Sequence, residues 1–324
     1  MVRIRSGYTV AVVGAGLVGE RIISELKRRK FPLKELRVLA RSARQATLAG
    51  EEFEVGIAEP DAFEGVDYAL FAGTEGERGA AVQLAQEANA RGATVIDNGS
   101  DFRLDPDVPL VVPEVNADAL QEHEGIVANP NCSTIQMVVT LAPIAREFGL
   151  RKVVVSTYQA VSGAGRSGVE ALESGRGNAF PRPITGNAIP LIGGITEDGY
   201  TTEERKMREE SRKILSTPDL PVFPTAVRIP VHTGHSESIY VETEREATLD
   251  EALEILRDAP GVSFSGEAAE FPTPAEAEGD PGVFVGRVRA GGNTIEYWCV
   301  SDNLLKGAAT NAIQITESLV GAKV

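Results

Sequence analysis

The sequence predicts an α/β protein in two parts: a doubly wound parallel-sheet domain, then an α+β domain. Three observations predict it. Tyr8–Val13 is an unbroken apolar, β-branched run that leads into glycines and an amphipathic segment, the order of a buried parallel strand, a tight turn and a helix. Apolar runs and helical periodicity then alternate through the helix that follows Cys132, the rhythm of βαβ units. Beyond that point the character changes to longer strand-like runs and Gly/Pro-rich excursions, and at 324 residues the chain exceeds what one core ordinarily supports.

Bulk composition narrows the function classes. Hydrophobic content of 42% and charged content of 24% describe a folded, soluble chain. A net charge of −15 argues against nucleic acid and against anionic membranes. An anionic ligand must therefore be met by locally clustered Arg and Lys. No apolar run approaches the roughly 18 residues of a membrane helix, and the first residues lack a signal-peptide pattern. With only two cysteines, Cys132 and Cys299, and three histidines, neither a disulfide scaffold nor a zinc site is expected, and a reducing cytoplasmic setting fits.

Taken in order, Tyr8–Val13 runs into Gly14-Ala15-Gly16-Leu17-Val18-Gly19, a G-x-G-x-x-G. A helix follows, with Ile22, Ile23 and Leu26 on its apolar side. Strand, glycine turn and helix are the context in which this motif binds a dinucleotide, with the pyrophosphate at the helix N-terminus. The domain is thus expected to be of Rossmann type. The next strand, Leu36–Ala40, ends without the acidic residue that holds a ribose 2′-OH; Arg41, Ser42 and Arg44 stand there instead and suit a 2′-phosphate, hence NADP. Strands are predicted at Glu52–Ile57, Asp67–Ala72, Thr94–Asp97 and Gly125–Ala128, and a helix around Arg78–Ala90. Gly73 and Gly76 follow a strand end, where such sheets bind ligands. Arg103, after the strand ending at Asp97, either meets a phosphate or carboxylate or pairs with Asp101 or Asp105.

Asn129-Pro130-Asn131-Cys132-Ser133-Thr134 joins a strand end to a helix bearing Ile135, Val138, Val139, Leu141 and Ala142. A cysteine there sits where open N–H groups and the helix dipole favour a thiolate, so Cys132 is a candidate nucleophile. A long strand, Lys152–Val161, follows and carries Gln159. Residues Ser174–Tyr200 read as an irregular excursion, a candidate oligomer contact or binding loop. A charged helix spans Thr201–Leu215 with Thr202 as its cap, and Glu203 and Lys206 share a face. Strands Phe223–Val231 and Glu237–Glu244 bracket a junction holding His232 and His235, either of which could be a general acid/base. A helix is expected at Asp250–Asp258, a surface loop at Ser265–Pro281, strands at Val283–Val288 and Thr294–Ser301, and a closing helix at Leu304–Val320. Cys299 reads as a core residue.

These stretches resemble aspartate-β-semialdehyde dehydrogenase along nearly the whole chain. Asn129–Gln136 together with Arg228…His235-Ser236-Glu237 is the most specific combination. The resemblance implies an α/β fold: a Rossmann-type doubly wound NADP-binding domain (residues 1–131 with the C-terminal helix 304–324) plus an α+β substrate and dimerisation domain (132–303). It implies NADPH-dependent reduction of L-aspartyl 4-phosphate to L-aspartate 4-semialdehyde with release of phosphate, in a homodimer. Cys132 matches the nucleophile that becomes a thioacyl group, His235 rather than His232 the acid/base, and Gln159 the residue orienting the intermediate. Arg103 and Lys206 match phosphate-binding positions, Glu203 the site of the substrate amine, and Arg228 that of its carboxylate. Asn116 and Ser100 lie in matching stretches and rank lower. Cofactor contacts are expected from Gly14, Gly16, Leu17, Val18, Gly19, Arg41, Ser42, Ser162, Gly163 and Asn303. The glycine loop is one residue shorter than the family's G-A-T-G-x-V-G, and a long insertion between Lys206 and Arg228 found in some branches is missing. The nearest alternatives are other acyl-phosphate or acyl-thioester reductases, such as N-acetyl-glutamyl-phosphate reductase, which usually carries Pro-Gly-Cys-Tyr at the nucleophile.

Overall fold

The computed structural model describes residues 7–73, 79–264 and 270–321. Gly76, Arg78 and the start of the Ser265–Pro281 loop lie outside the described residues. The chain forms two compact units, Met1–Pro130 with Ala308–Val324, and Asn131–Gly307.

The first unit holds β1 (Tyr8–Val13), α1 (Leu17–Arg28), β2 (Leu33–Ala40), β3 (Arg44–Leu48), β4 (Glu51–Ile57), β5 (Tyr68–Phe71), α2 (Ala80–Ala90), β6 (Thr94–Asp97), α3 (Pro113–Asn116) and β7 (Ile126–Ala128). Its seven-stranded sheet runs β3-β4-β2-β1-β5-β6-β7, parallel except for the β3–β4 pair. β1 is central and buried on both faces, which is why it reads as a continuous apolar run. The chain leaves β1 toward β2 on one side and returns to β5 on the other. The turns after β1 and β5 therefore flank the switch point where such sheets bind ligands.

The sequence reading did not include β3. It is an edge strand with mostly exposed residues, so it carries no apolar alternation. Ala49 (φ 51°) and Gly50 (φ 77°) close the β3–β4 hairpin in left-handed conformations, as a two-residue turn of this type demands. The closing helix is also split. A π-helical turn covers Leu305–Ala309, and the α-helix runs Thr310–Leu319. The Asp302 carboxylate accepts from the Leu304 and Leu305 N–H groups and anchors the wide turn. The α-helical part packs Ala312, Ile313 and Ile315 into the core shared with Ile22, Ile23 and Leu26.

The second unit holds α4 (Cys132–Phe148), β8 (Lys152–Gln159), α5 (Gly165–Ser174), α6 (Thr202–Ile214), β9 (Val222–Arg228), β10 (His235–Glu242), α7 (Leu249–Arg257), β11 (Val262–Phe264), α8 (Pro274–Ala277), β12 (Val283–Gly291) and β13 (Thr294–Ser301). The sheet order is β11-β12-β13-β10-β8-β9, with β8–β9 and β11–β12 parallel and the rest antiparallel. Burial alternates along β8 and β9, so one face meets α4, α6 and α7 and the other is more open. Helix α4 is buried on every side from Ser133 to Ala142, more than the one apolar face read from its sequence. The cap of α6 is Thr201, not Thr202: its side chain accepts from Glu204 N–H, and the Glu204 carboxylate accepts from Thr201 N–H. A capping box needs its acid three residues on, and Glu204 supplies that spacing for Thr201. Helix α5 was also not foreseen, because its glycine-rich start hides the period.

Candidate active site

The site in the second unit begins with the helix that Cys132 opens. Asn131 is extended (φ −59°, ψ 144°), and its side-chain oxygen accepts from the Ser133 and Thr134 N–H groups at 3.0 and 3.3 Å. This is a helix N-cap, and it places Cys132, half-buried, in the first turn of α4. The π-helical turn lies against the same residue. A Cβ built on Gly307 would stand 2.8 Å from Cys132 Cβ, so only glycine allows this approach.

Gln159, at the end of β8, is buried. Its amide donates to Ser133 Oγ (2.9 Å), Thr157 Oγ1 (3.3 Å) and Glu203 Oε1 (3.3 Å). Glu203 Oε1 also accepts from Asn131 Nδ2 at 3.0 Å. Gln159 and Glu203 thus join one network around the cap of the helix that Cys132 opens. Lys206 lies three residues beyond Glu203 on α6.

Arg228 and His235 end β9 and begin β10. Arg228 Nη1 donates to Ala160 O at 2.6 Å, its guanidinium lies 5.9 Å from the Phe180 ring, and its backbone pairs with Ile189. The Ser174–Tyr200 excursion therefore turns part of itself inward to brace this arginine. Burial pulls the Arg228 pKa down, while the charges of Glu203 and Cys132 oppose that shift.

His235 is completely buried, and the Ala160 N–H donates to its Nδ1 at 3.1 Å. The neutral ring accordingly carries its proton on Nε2, and that nitrogen has no partner among the described residues. Burial, reinforced by the Arg228 charge, holds the imidazole well below its ordinary pKa. Gly163 sits between the two groups. A Cβ there would be 2.8 Å from Arg228 Nη1 and 3.3 Å from His235 Nε2. His232 is instead exposed, 3.6 Å from Glu173.

Other predicted contacts fall elsewhere. Ser162 and Asn303 are in the second unit and hydrogen-bond each other (3.0 Å), and Asn303 also accepts from Gly234 N–H at 2.9 Å. In the first unit, Gly14 has φ 115°, and a Cβ on Gly19 would lie 1.8 Å from Gly14 O. One glycine serves the turn and the other the close packing of helix on strand. A Cβ on Gly16 would meet nothing within 4 Å, and no side chain caps α1 there. The open N-terminus of α1, with Leu17, Val18 and Gly19 in its first turn, fits a pyrophosphate. Arg41 and Ser42 are exposed just beyond β2. Arg103 is buried after β6 and donates to Asn98 O at 2.8 Å. Asn116 braces its own turn through Val112 N and Leu110 O.

Sequence reasoning missed four participants. Asn131 had a signal, since asparagine immediately before a helix is a cap residue. Glu210, whose carboxylate accepts from Asn131 N–H, had none beyond its seven-residue offset from Glu203. Gly307 and the Ala160 backbone act without a side chain and leave no signature.

These features define a two-part oxidoreductase, with a dinucleotide-type domain and a second unit bearing a helix-capped cysteine. Family models agree: "Semialdehyde dehydrogenase, NAD binding domain" matches residues 9–123 and "Semialdehyde dehydrogenase, dimerisation domain" matches 141–306. The Cys132 stretch lies between the two matched ranges. The chain is 48% identical to aspartate-semialdehyde dehydrogenase of Bacillus subtilis, over 97% of each protein. It is 46% identical to that of Aquifex aeolicus, over 97% of this chain and 98% of the relative. The crystal structure of aspartate semialdehyde dehydrogenase II from Vibrio cholerae complexed with ASA superposes with a TM-score of 0.93 at 40% identity, covering 99% of this chain and all of that one. The chain belongs to the aspartate-semialdehyde dehydrogenase family.

Proposed function

We propose that this protein catalyses the NADPH-dependent reductive dephosphorylation of L-aspartyl 4-phosphate to L-aspartate 4-semialdehyde, a step of aspartate-family amino-acid biosynthesis, through a thioacyl group on Cys132. The observation that carries the reading is the capped cysteine helix, tied through Gln159 to Glu203, with Arg228 and His235 bonded to the adjoining Ala160. The Vibrio cholerae relative bound to ASA supports the substrate class.

The chemistry follows from these residues. The dipole of α4 at its N-terminus, where Asn131 caps the Ser133 and Thr134 N–H groups, favours the Cys132 thiolate. The thiolate attacks the acyl carbon, the carbon–oxygen bond to phosphate breaks, and phosphate leaves with the electron pair. Arg103 and Lys206 offset its charge, and solvent supplies the proton that returns it to its ordinary dianion. Gln159 orients the resulting thioester. Glu203 and Arg228 hold the substrate ammonium and α-carboxylate.

His235 exchanges protons at Nε2, because Nδ1 is held by the Ala160 N–H. In its resting tautomer it is a donor to the acyl oxygen, the way a neutral imidazole polarises a carbonyl elsewhere. Acting as base toward Cys132 would need the other tautomer and the loss of the Ala160 bond. We therefore assign ionisation of the thiol to the helix N-terminus. Gly14, Gly16, Leu17, Val18 and Gly19 at the open end of α1 would hold NADPH, which would supply the hydride for reduction of the thioester. The thiolate is then expelled as the aldehyde forms.

The resident nucleotide is NADP on the strength of Arg41 and Ser42. Arg41→Ala should raise the KM for NADP about tenfold or more and leave that for NAD within about twofold, since one charged contact is worth ~1.5–3 kcal/mol; equal losses would remove the 2′-phosphate assignment. The functional test is the reverse reaction. L-Aspartate 4-semialdehyde plus phosphate should reduce NADP, whereas turnover of N-acetyl-glutamate 5-semialdehyde alone would contradict the reading. We also propose a cytoplasmic homodimer. The open face of the second sheet carries a row Phe223–Val154–Tyr240 in register across β9, β8 and β10, with Phe223 46% exposed and Val154 38%. That apolar row suits a second copy better than the inward-braced Ser174–Tyr200 excursion does.

A further inference from the structure

We infer that Glu210 is a positioning residue for the nucleophile: it holds the backbone of Asn131, and through it the N-terminal turn of α4 that presents Cys132. The inference rests on the reading of Cys132 as nucleophile and concerns a residue that has no place in the chemistry described above.

Glu210 lies on α6, seven residues beyond Glu203 and so on the same helix face. Both carboxylates reach one residue. Glu203 Oε1 accepts from Asn131 Nδ2 at 3.0 Å, and Glu210 Oε2 accepts from Asn131 N–H at 2.6 Å. The Asn131 side-chain oxygen meanwhile caps α4 at Ser133 and Thr134. Asn131 is therefore pinned at its backbone by Glu210 and at its side chain by Glu203 and the helix it caps. Asn131 is 6% exposed and Glu210 1%. A buried carboxylate is costly unless it is hydrogen-bonded, and a buried N–H is costly without an acceptor. The short, charge-assisted bond between them answers both demands.

The arrangement divides the labour along α6. Glu203 faces the substrate amine in the proposed reaction and shares its Oε1 between Asn131 and Gln159. When substrate competes for that carboxylate, the Glu210 bond keeps the cap residue in place. Cysteine chemistry is sensitive to this, because a displacement of about 1 Å from the productive geometry can cost on the order of a hundredfold in rate.

The test compares Glu210→Ala, Glu210→Gln and Glu210→Asp. Gln keeps an acceptor oxygen at the same reach. Asp keeps the charge but is one methylene short. The measurements are the iodoacetamide alkylation rate of Cys132 across pH, the kcat and KM of the reverse reaction, and the thermal midpoint. Ala and Asp should slow Cys132 alkylation at neutral pH and lower kcat, both by about tenfold to a hundredfold, with KM values within about threefold. Gln should restore most of both rates. If the Ala variant does not fold, the contrast between Gln and Asp decides. The inference is overturned if Asp matches the wild type in both rates, if Gln is as impaired as Asp, or if the variants lose thermal stability only. Wild-type Cys132 reacting no faster than Cys299 would instead overturn the nucleophile reading on which the inference stands.

Discussion

Thiol reactivity follows thiolate fraction and access, and the two cysteines differ in both. Cys132 is half-buried at a helix N-terminus. Cys299 is fully buried in β13, donates to Glu237 Oε2 at 3.6 Å, and has its pKa pushed well up by burial. Iodoacetamide should modify Cys132 at least about a hundredfold faster, with phosphate slowing the reaction; peptide mapping reads the ratio, and equal rates would mean that Cys132 is not activated. At this scale the sequence was most legible where chemistry needs a particular side chain. Cys132, Gln159, Glu203, Arg228 and His235 were singled out from the sequence, most of them through the resemblance, and the structure gathers them in one unit. Gly307 was invisible, because what matters there is a missing Cβ beside Cys132 and that can be seen only in three dimensions.

Elements were legible where burial imposes a period. β1, β10 and β13 were anticipated to within a few residues, since their faces alternate or are buried throughout. β3 at the sheet edge, α5 behind a glycine-rich turn and the three-residue β11 carry no such pattern. The β10–β13 pair also holds a test of its own. Glu237 and Cys299 face each other in register, Gln136 of α4 donates to Cys299 Sγ, and Ser301 Oγ donates to the Gln136 side-chain oxygen. Burial holds the Glu237 carboxyl well above its ordinary pKa, so it folds as the neutral acid. The unfolded chain loses that proton above about pH 4.5 while the folded chain keeps it. This contribution to stability is full below that pH and declines as pH rises toward the folded value, by up to about 1.4 kcal/mol per pH unit. Glu237→Gln removes the titration. Its urea midpoint relative to wild type should therefore climb between pH 5 and pH 8. A pH-independent difference would mean that Glu237 is ionised in the fold. His235 has the opposite sign. Its lowered pKa gives stability that is full above about pH 6.5 and is lost on acidification.

For the whole molecule, length and the change of pattern after the Cys132 helix pointed to two units. The point where the chain returns to the first one was not legible: the predicted closing helix starts at 304, whereas the unit resumes at Ala308 within the π-helical turn. The proposed homodimer would bury the open sheet face. A charge placed in the Phe223–Val154–Tyr240 row is duplicated by symmetry in a twofold contact. Phe223→Glu should thus weaken the dimer at least about a hundredfold, read by sedimentation at micromolar concentration; an unchanged dimer would place the contact elsewhere, with the exposed Ile195 of the excursion the next position to substitute.

The proposed thioacyl group on Cys132 can be tested without steady-state kinetics. Enzyme mixed with L-aspartate 4-semialdehyde and NADP, without phosphate, should be quenched in acid within one turnover and examined by intact mass and peptide mapping. The expected result is an aspartyl adduct on Cys132 that disappears when phosphate is added before the quench. An adduct on another residue, or a Cys132→Ser enzyme that turns over at the wild-type rate, would contradict it.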